Sequence, residues 1–273
     1  MKKLLFAILC TCFFACQSDR KGEQSNNPGR GENGATVDTL TFNYDSVKVY
    51  SKTPLSPDKR VTDTSKAVIM YPVFQDSTLN KFLEQQVCKA ANNNPDLHFS
   101  TYKELATDFI ARYDDFRKDN DDNIQTWFLD AQLYVLLQKP GYISLRLDNV
   151  DYAGGAHANP TFSYINYDLS RHQAIPLDSL LKPGSQPKLE VIGERIFRKN
   201  EGLSPTQSLE NGYFFESGKF HLNKNYTLTK QGLEFLYNPY EIKSYAEGTT
   251  KLLIPYAEIK DLMRPNSIIS RFQ

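Results

Sequence analysis

At 273 residues, 40% hydrophobic and 23% charged, the chain is large enough for a sizeable core in one or two domains, and neither wholesale disorder nor a multi-span membrane protein fits. Basic and acidic residues balance at 32 each, which excludes the strongly cationic footprint of a general nucleic-acid binder. Aromatic residues reach 12%, with 16 Tyr and 17 Phe against one Trp. That bias favours a β-rich protein or a surface that meets flat apolar ligands.

Met1-Lys2-Lys3 is a short positive stretch, and residues 4–14 form an apolar run of secretory-signal length, too short to span a bilayer as a mature helix. Three of the four cysteines (Cys10, Cys12, Cys16) crowd into the first 16 residues, so there is no disulfide framework. Ala15-Cys16 at the end of the run resembles the lipobox of bacterial lipoproteins, which makes Cys16 the expected lipid attachment site. Its thiol takes a diacylglycerol, and each buried methylene adds about 0.8 kcal/mol of anchoring. A signal peptide cut elsewhere, or processing at Cys12, stays open as the alternative. Residues 17–36 carry Gln, Ser, Asn, Gly, Pro and charges with Ala35 the only apolar member, so they read as a flexible tether reaching about 25 Å. The expected division is thus signal peptide 1–15 and lipid anchor with tether 16–36.

Leu40, Phe42 and Tyr44 alternate, Val47 and Val49 alternate in the opposite phase, and residues 66–74 are a dense apolar run broken by Pro72; both segments predict strands. Asp76 or Ser77 caps a predicted helix whose face is Leu79, Phe82, Leu83, Val87 and Ala90, with Cys88 off that face and inert, and which stops at Asn92-Asn93-Asn94-Pro95. Thr101-Tyr102-Lys103-Glu104 has capping-box form and opens a second helix with Leu105, Phe109, Tyr113 and Phe116 along one stripe. Strands at 127–138, 142–150 and 162–169, joined by Lys139-Pro140-Gly141 and a glycine-rich connection, predict an antiparallel meander. Further on, 175–181 reads as a short turn or helix, 187–199 as a helix with Leu189, Ile192 and Ile196 on one side, and 226–229, 233–237 and 251–254 as strands before a short helix at 256–263. The expected fold is α+β, an antiparallel sheet with packed helices in two interlocked subdomains, 37–160 and 161–273.

Two segments carry a resemblance. Tyr152-Ala153-Gly154-Gly155-Ala156-His157-Ala158-Asn159-Pro160 and Gln231-Gly232-Leu233-Glu234-Phe235-Leu236-Tyr237-Asn238-Pro239-Tyr240-Glu241-Ile242, followed by Tyr245-Ala246-Glu247-Gly248 and Ile254-Pro255-Tyr256, are similar to the extracellular α/β domain of lysozyme-sensing, RsiV-like anti-sigma factors. The same module precedes the catalytic domain of PdaC-type peptidoglycan deacetylases. The resemblance implies a PdaC-like N-terminal and an RsiV-like C-terminal subdomain, with peptidoglycan-type glycan or a lysozyme-like protein as partner. With three residues ahead of the apolar run, transmembrane signalling is not expected. Deacetylase activity is not carried over either, because no His-x-x-x-His spacing links His98, His157, His172 and His221 and no Thr-Phe-Asp-Asp stretch occurs.

Within the first segment, Tyr152, Gly154, Gly155, His157 and Asn159 are the candidate ligand-binding residues: glycines let a partner approach the main chain, and the histidine and asparagine offer hydrogen bonds. The competing reading is a tight strand connection. Asp119, Asp121, Asn123 and Asp130 match part of a calcium-loop spacing, but Ile124 stands where the turn needs glycine and Asp130 where a bidentate Glu belongs, so a solvated loop is preferred. Glu194 and Glu201 form a glycosidase pair only if the fold sets their separation. Tyr237, Tyr240, Tyr245 and Tyr256 either stack on sugars or fill the core. No catalytic residue, metal or cofactor is expected. The expectation is a monomeric, lipid-anchored envelope lipoprotein that binds without turnover and contacts no nucleic acid, with an envelope hydrolase acting on cell-wall glycan as the alternative.

Overall fold

The computed structural model describes residues 39–55, 63–92, 96–122 and 125–272. The signal peptide, Cys16, the tether, the Asn93-Asn94-Pro95 stop and Asn123 lie outside them.

The described strands and helices run β1 (Phe42–Tyr50), β2 (Lys66–Phe74), α1 (Ser77–Ala90), α2 (Tyr102–Asp119), β3 (Phe128–Lys139), β4 (Tyr142–Tyr152), β5 (Asn159–Asp168), β6 (Gln173–Ala174), α3 (Gln186–Asn200), β7 (Tyr226–Leu228), β8 (Gly232–Tyr237), β9 (Thr250–Pro255) and α4 (Tyr256–Ile259). They form a six-stranded sheet in the order β1-β2-β3-β4-β5-β6 and a three-stranded sheet β7-β8-β9, an α+β fold. The meander β3-β4-β5 is antiparallel as expected. One pair departs from that pattern, because β2 and β3 run parallel from Lys66↔Phe128 to Met70↔Gln132. The two helices between them carry the chain from the end of β2 back to its beginning, and such a crossover makes the next strand parallel. Pro72 sits beyond the last β3 partner of β2, where a missing N–H breaks no bond to β3.

Both helix starts follow the capping residues. The Asp76 carboxylate accepts from the N–H groups of Thr78 and Leu79 at 2.9 and 3.0 Å, and the Thr101 hydroxyl accepts from Glu104 N–H at 3.1 Å. The Glu104 carboxylate returns to Ser100 N–H at 2.7 Å, one residue ahead of the cap. The buried side of α1 is wider than the stripe in the sequence: it takes in Leu79, Leu83, Val87 and Cys88, while Ala90 is exposed. The cause is α2, which packs on that flank and whose Tyr102 N–H donates to Glu84 at 2.9 Å. Burial pushes the Cys88 thiol up to about 12, so it is inert at neutral pH.

Alternation along β4 serves two cores. Ile143, Leu145 and Leu147 face α1 and α2 together with Ile69, Leu129 and Leu133. Tyr142, on the opposite face, belongs to a second core with Leu189 and Phe197 of α3 and Leu233, Phe235 and Ile254 of the small sheet. A two-residue Pro140-Gly141 turn closes the β3/β4 hairpin between Lys139 and Tyr142. A bulge between Val135 and Leu137 leaves Leu136 46% exposed.

Candidate functional site

The 152–160 connection leaves β4 and enters β5 as a compact exposed loop. Gly154 and Gly155 hold φ of 93° and 101°, angles that side-chain-bearing residues rarely take. The Tyr152 ring stacks on Phe128 with centroids 6.0 Å apart, and its hydroxyl donates to the Gly155 carbonyl at 2.9 Å. A side chain at Gly155 meets nothing within 4 Å, whereas a Cβ at Gly154 lies 3.9 Å from Nε1 of Trp127. The glycines therefore set the backbone path and leave open space above Gly155.

His157 is where the loop meets the other resembling segment. Its ring stacks on Tyr245 at 4.0 Å and 21°, its Nε2 lies 3.3 Å from the Tyr240 hydroxyl, and its Nδ1 lies 2.9 Å from the Ala158 carbonyl oxygen. That oxygen can only accept, so in the neutral ring Nδ1 carries the proton and Nε2 accepts from Tyr240. The Tyr245 hydroxyl donates to the same carbonyl at 3.1 Å. Asn159 begins β5 opposite Asp151 and stays exposed.

Asparagine side chains dock the second segment. The outer backbone edge of β5 has no strand partner at Phe162 and Tyr164. There Asn238 Oδ1 accepts from Phe162 N–H at 2.7 Å and Asn225 Oδ1 accepts from Tyr164 N–H at 2.7 Å. Asn225 Nδ2 and Asn238 Nδ2 both donate to the Phe162 carbonyl, at 2.8 and 3.1 Å. These amides take the place of a ladder on an edge that would otherwise be exposed. Asn238 N–H in turn donates to Glu241 at 2.8 Å, which fixes the turn that presents Tyr240, 57% exposed and at φ 67°. Tyr245 starts a single helical turn closed by Ser244 and Glu247, whose mutual hydrogen bonds hold the Glu247 carboxyl below its ordinary value.

The tyrosine run thus divides. Tyr237 and Tyr256 are core residues, and Tyr240 and Tyr245 join His157 at the surface. Glu194 pairs with Arg198 at 2.8 Å and Glu201 with Lys243 at 2.7 Å, so each carboxylate is already held by its own cation. Asp130 accepts from Gln132 at 2.9 Å within β3, away from an acidic loop. Among the described residues no three His, Cys, Asp or Glu side chains converge as a metal site. No described helix is long and apolar enough to cross a membrane. Asn225 and Asn238 position the second segment, and their part is not visible in the sequence because an asparagine pairing with a strand edge has no periodic signature.

Comparison with known proteins places the two loops in two matched stretches. Residues 59–160 match the family described as Deacetylase PdaC, and residues 178–257 match the family described as Protein of unknown function (DUF3298). The peptidoglycan-N-acetylmuramic acid deacetylase PdaC of Bacillus subtilis is 21% identical over 218 residues, covering 75% of this chain. The chain spans 40% of that relative's length. Two crystal structures share the fold. A DUF3298 family member from Bacteroides fragilis is 22% identical at a TM-score of 0.66, covering 86% of this chain and 98% of that one. A DUF3298 family protein from Pseudomonas aeruginosa is 20% identical at a TM-score of 0.63, covering 84% and 96%. A stretch similar to the PdaC family is thus followed by a stretch similar to the DUF3298 family, and the α+β fold is the one these neighbours share.

Proposed function

We propose that the chain is a cell-envelope binding module that seats a peptidoglycan-type glycan or a lysozyme-like protein on its 152–160 and 238–245 loops, without turnover. The observation that carries this reading is the exposed His157–Tyr240–Tyr245 cluster, in which the two resembling segments meet beside an open glycine backbone. Aromatic faces of this kind suit sugar rings and protein hot spots alike. The curated relative's name places its action on peptidoglycan, which supports a cell-wall association. The ion pairs that occupy Glu194 and Glu201 favour binding over the hydrolase alternative. In this reading Cys16 carries the lipid that holds the module at the membrane, and Cys16→Ser moves the protein to the soluble fraction; membrane retention of that variant contradicts the anchor.

The single tryptophan, Trp127, is the built-in reporter, since it stacks on Phe116 at 5.1 Å and lies under Gly154. Titrating soluble peptidoglycan fragments, followed by Trp127 fluorescence, or hen lysozyme, followed by calorimetry because it carries tryptophans of its own, should give a saturable signal with at least one of them. His157→Ala should weaken that binding tenfold or more, about 1.4 kcal/mol, with an unchanged melting temperature. Unaltered affinity in the variant, or new reducing ends released from the glycan, overturns the proposal.

A further inference from the structure

The bulge in β3 opens a cleft that the loop site does not use. It lies between the helix-free face of the six-stranded sheet and the small sheet, with a volume of about 300 Å³, enough for one hexose-sized ligand. Ser144 and Thr227 form its floor, 0% and 4% exposed. Ser144 Oγ is buried within hydrogen-bonding reach of the Tyr142 hydroxyl, whose own proton goes to Asn166 at 2.7 Å.

The walls are polar and carry a positive excess. The Tyr164 hydroxyl donates to Glu234 Oε1 at 2.5 Å, and Lys251 Nζ lies 2.9 Å from the same oxygen. Arg146 lies over the Phe162 ring at 4.9 Å, with its Nε 2.5 Å from Asp148. Lys230 makes no ion pair among the described residues. Asp148 thus answers Arg146 and Glu234 answers Lys251, so Lys230 is the cation of the lining left without an acidic partner among the described residues. Leu136, turned out by the bulge, adds an apolar patch at the rim.

We infer that this cleft binds a hexose-sized sugar bearing a carboxylate. Lys230 and Lys251 receive the carboxylate, Thr227 and Glu234 meet ring hydroxyls, and Leu136 covers the apolar face of the ring. The assignment is independent of the loop site.

Two matched pairs test it on the full chain by ligand-observed NMR: glucuronate against glucose, and N-acetylmuramate against N-acetylglucosamine. One pair carries the carboxylate on the ring and the other on an ether, so the two arms separate the sources of the charge. At least one acid should bind tenfold or more tighter than its neutral partner. Lys230→Gln should remove that preference with no change in melting temperature, Leu136→Trp should block the acid by filling the rim, and His157→Ala should leave it unchanged. The inference is overturned if neither acid outbinds its neutral partner, or if acid binding survives both Lys230→Gln and Leu136→Trp. It is equally overturned if His157→Ala abolishes acid binding, which would assign the sugar to the loops.

Discussion

Beneath α1 and α2 aromatic rings are few among the buried side chains, which come mostly from regular strands and helices, whereas a third of the buried residues around α3 and the small sheet are aromatic and that core borders long irregular connections. Of the four tyrosines buried in the second core, Tyr142 donates to the Asn166 side chain and the other three end in hydrogen bonds to the main chain. Tyr226 donates to the Ile175 carbonyl at 2.6 Å, Tyr237 to His221 at 2.9 Å and Tyr256 to Thr229 at 2.9 Å. In the first core the Tyr167 hydroxyl is buried with no partner among the described residues. Where ladders supply order, a tyrosine is ring volume. Where the backbone is irregular, its hydroxyl pins a segment that no ladder holds.

The harshest way to break the second region is Gly232→Ala. Gly232 opens β8 opposite Pro255, and a Cβ there would stand 2.1 Å from the Ile254 carbonyl oxygen. The expected loss is about 3 kcal/mol, read as a large fall in melting temperature. Wild-type stability would show that β9 shifts freely, against the rigid core described.

Phenylalanine substitutions sharpen the contrast between regions. Tyr237→Phe and Tyr226→Phe each remove a hydrogen bond that pins the main chain, to a buried carbonyl in the case of Tyr226, and should cost about 1–2 kcal/mol in denaturant unfolding. Tyr167→Phe removes an orphaned hydroxyl and should be neutral or stabilising by up to about 1 kcal/mol. Equal losses at all three positions would erase the distinction.

Alkaline pH probes the same hydroxyls more gently. Burial favours the neutral phenol and pushes Tyr142 up to about 12, with Tyr226, Tyr237 and Tyr256 also raised. Their contribution to stability is complete below the unfolded value of about 10 and is lost as pH rises above it. Ultraviolet titration should therefore show a set of tyrosines that ionise only as the protein unfolds near or above pH 12. A single smooth titration near pH 10 with structure retained would contradict that burial.

Much of the first region was legible in the sequence, and the reason is local chemistry. Asp76 and Thr101 announced helix starts, and Pro140-Gly141 announced a hairpin turn. The parallel β2/β3 pair was not legible, because periodicity reveals a strand but not its neighbour. Cys88 was misplaced for a related reason, since the flank buried by α2 depends on where a second helix packs. In the candidate site, His157 and the glycines were visible from residue type, and Tyr240 and Tyr245 were visible only as members of a tyrosine run. Their meeting with His157 depends on Asn238 reaching the edge of β5 from 76 residues away, a contact with no trace in local pattern.

Whether the 152–160 and 238–245 loops form one binding surface is tested most directly by a double-mutant cycle with His157→Ala and Tyr240→Ala, read by calorimetry against lysozyme and by Trp127 fluorescence against peptidoglycan fragments. Each single variant should weaken binding, and the double variant should lose less than the sum of the two, with a coupling of about 0.5–3 kcal/mol. Full additivity, or wild-type affinity in the double variant with its fold intact, would contradict a shared surface.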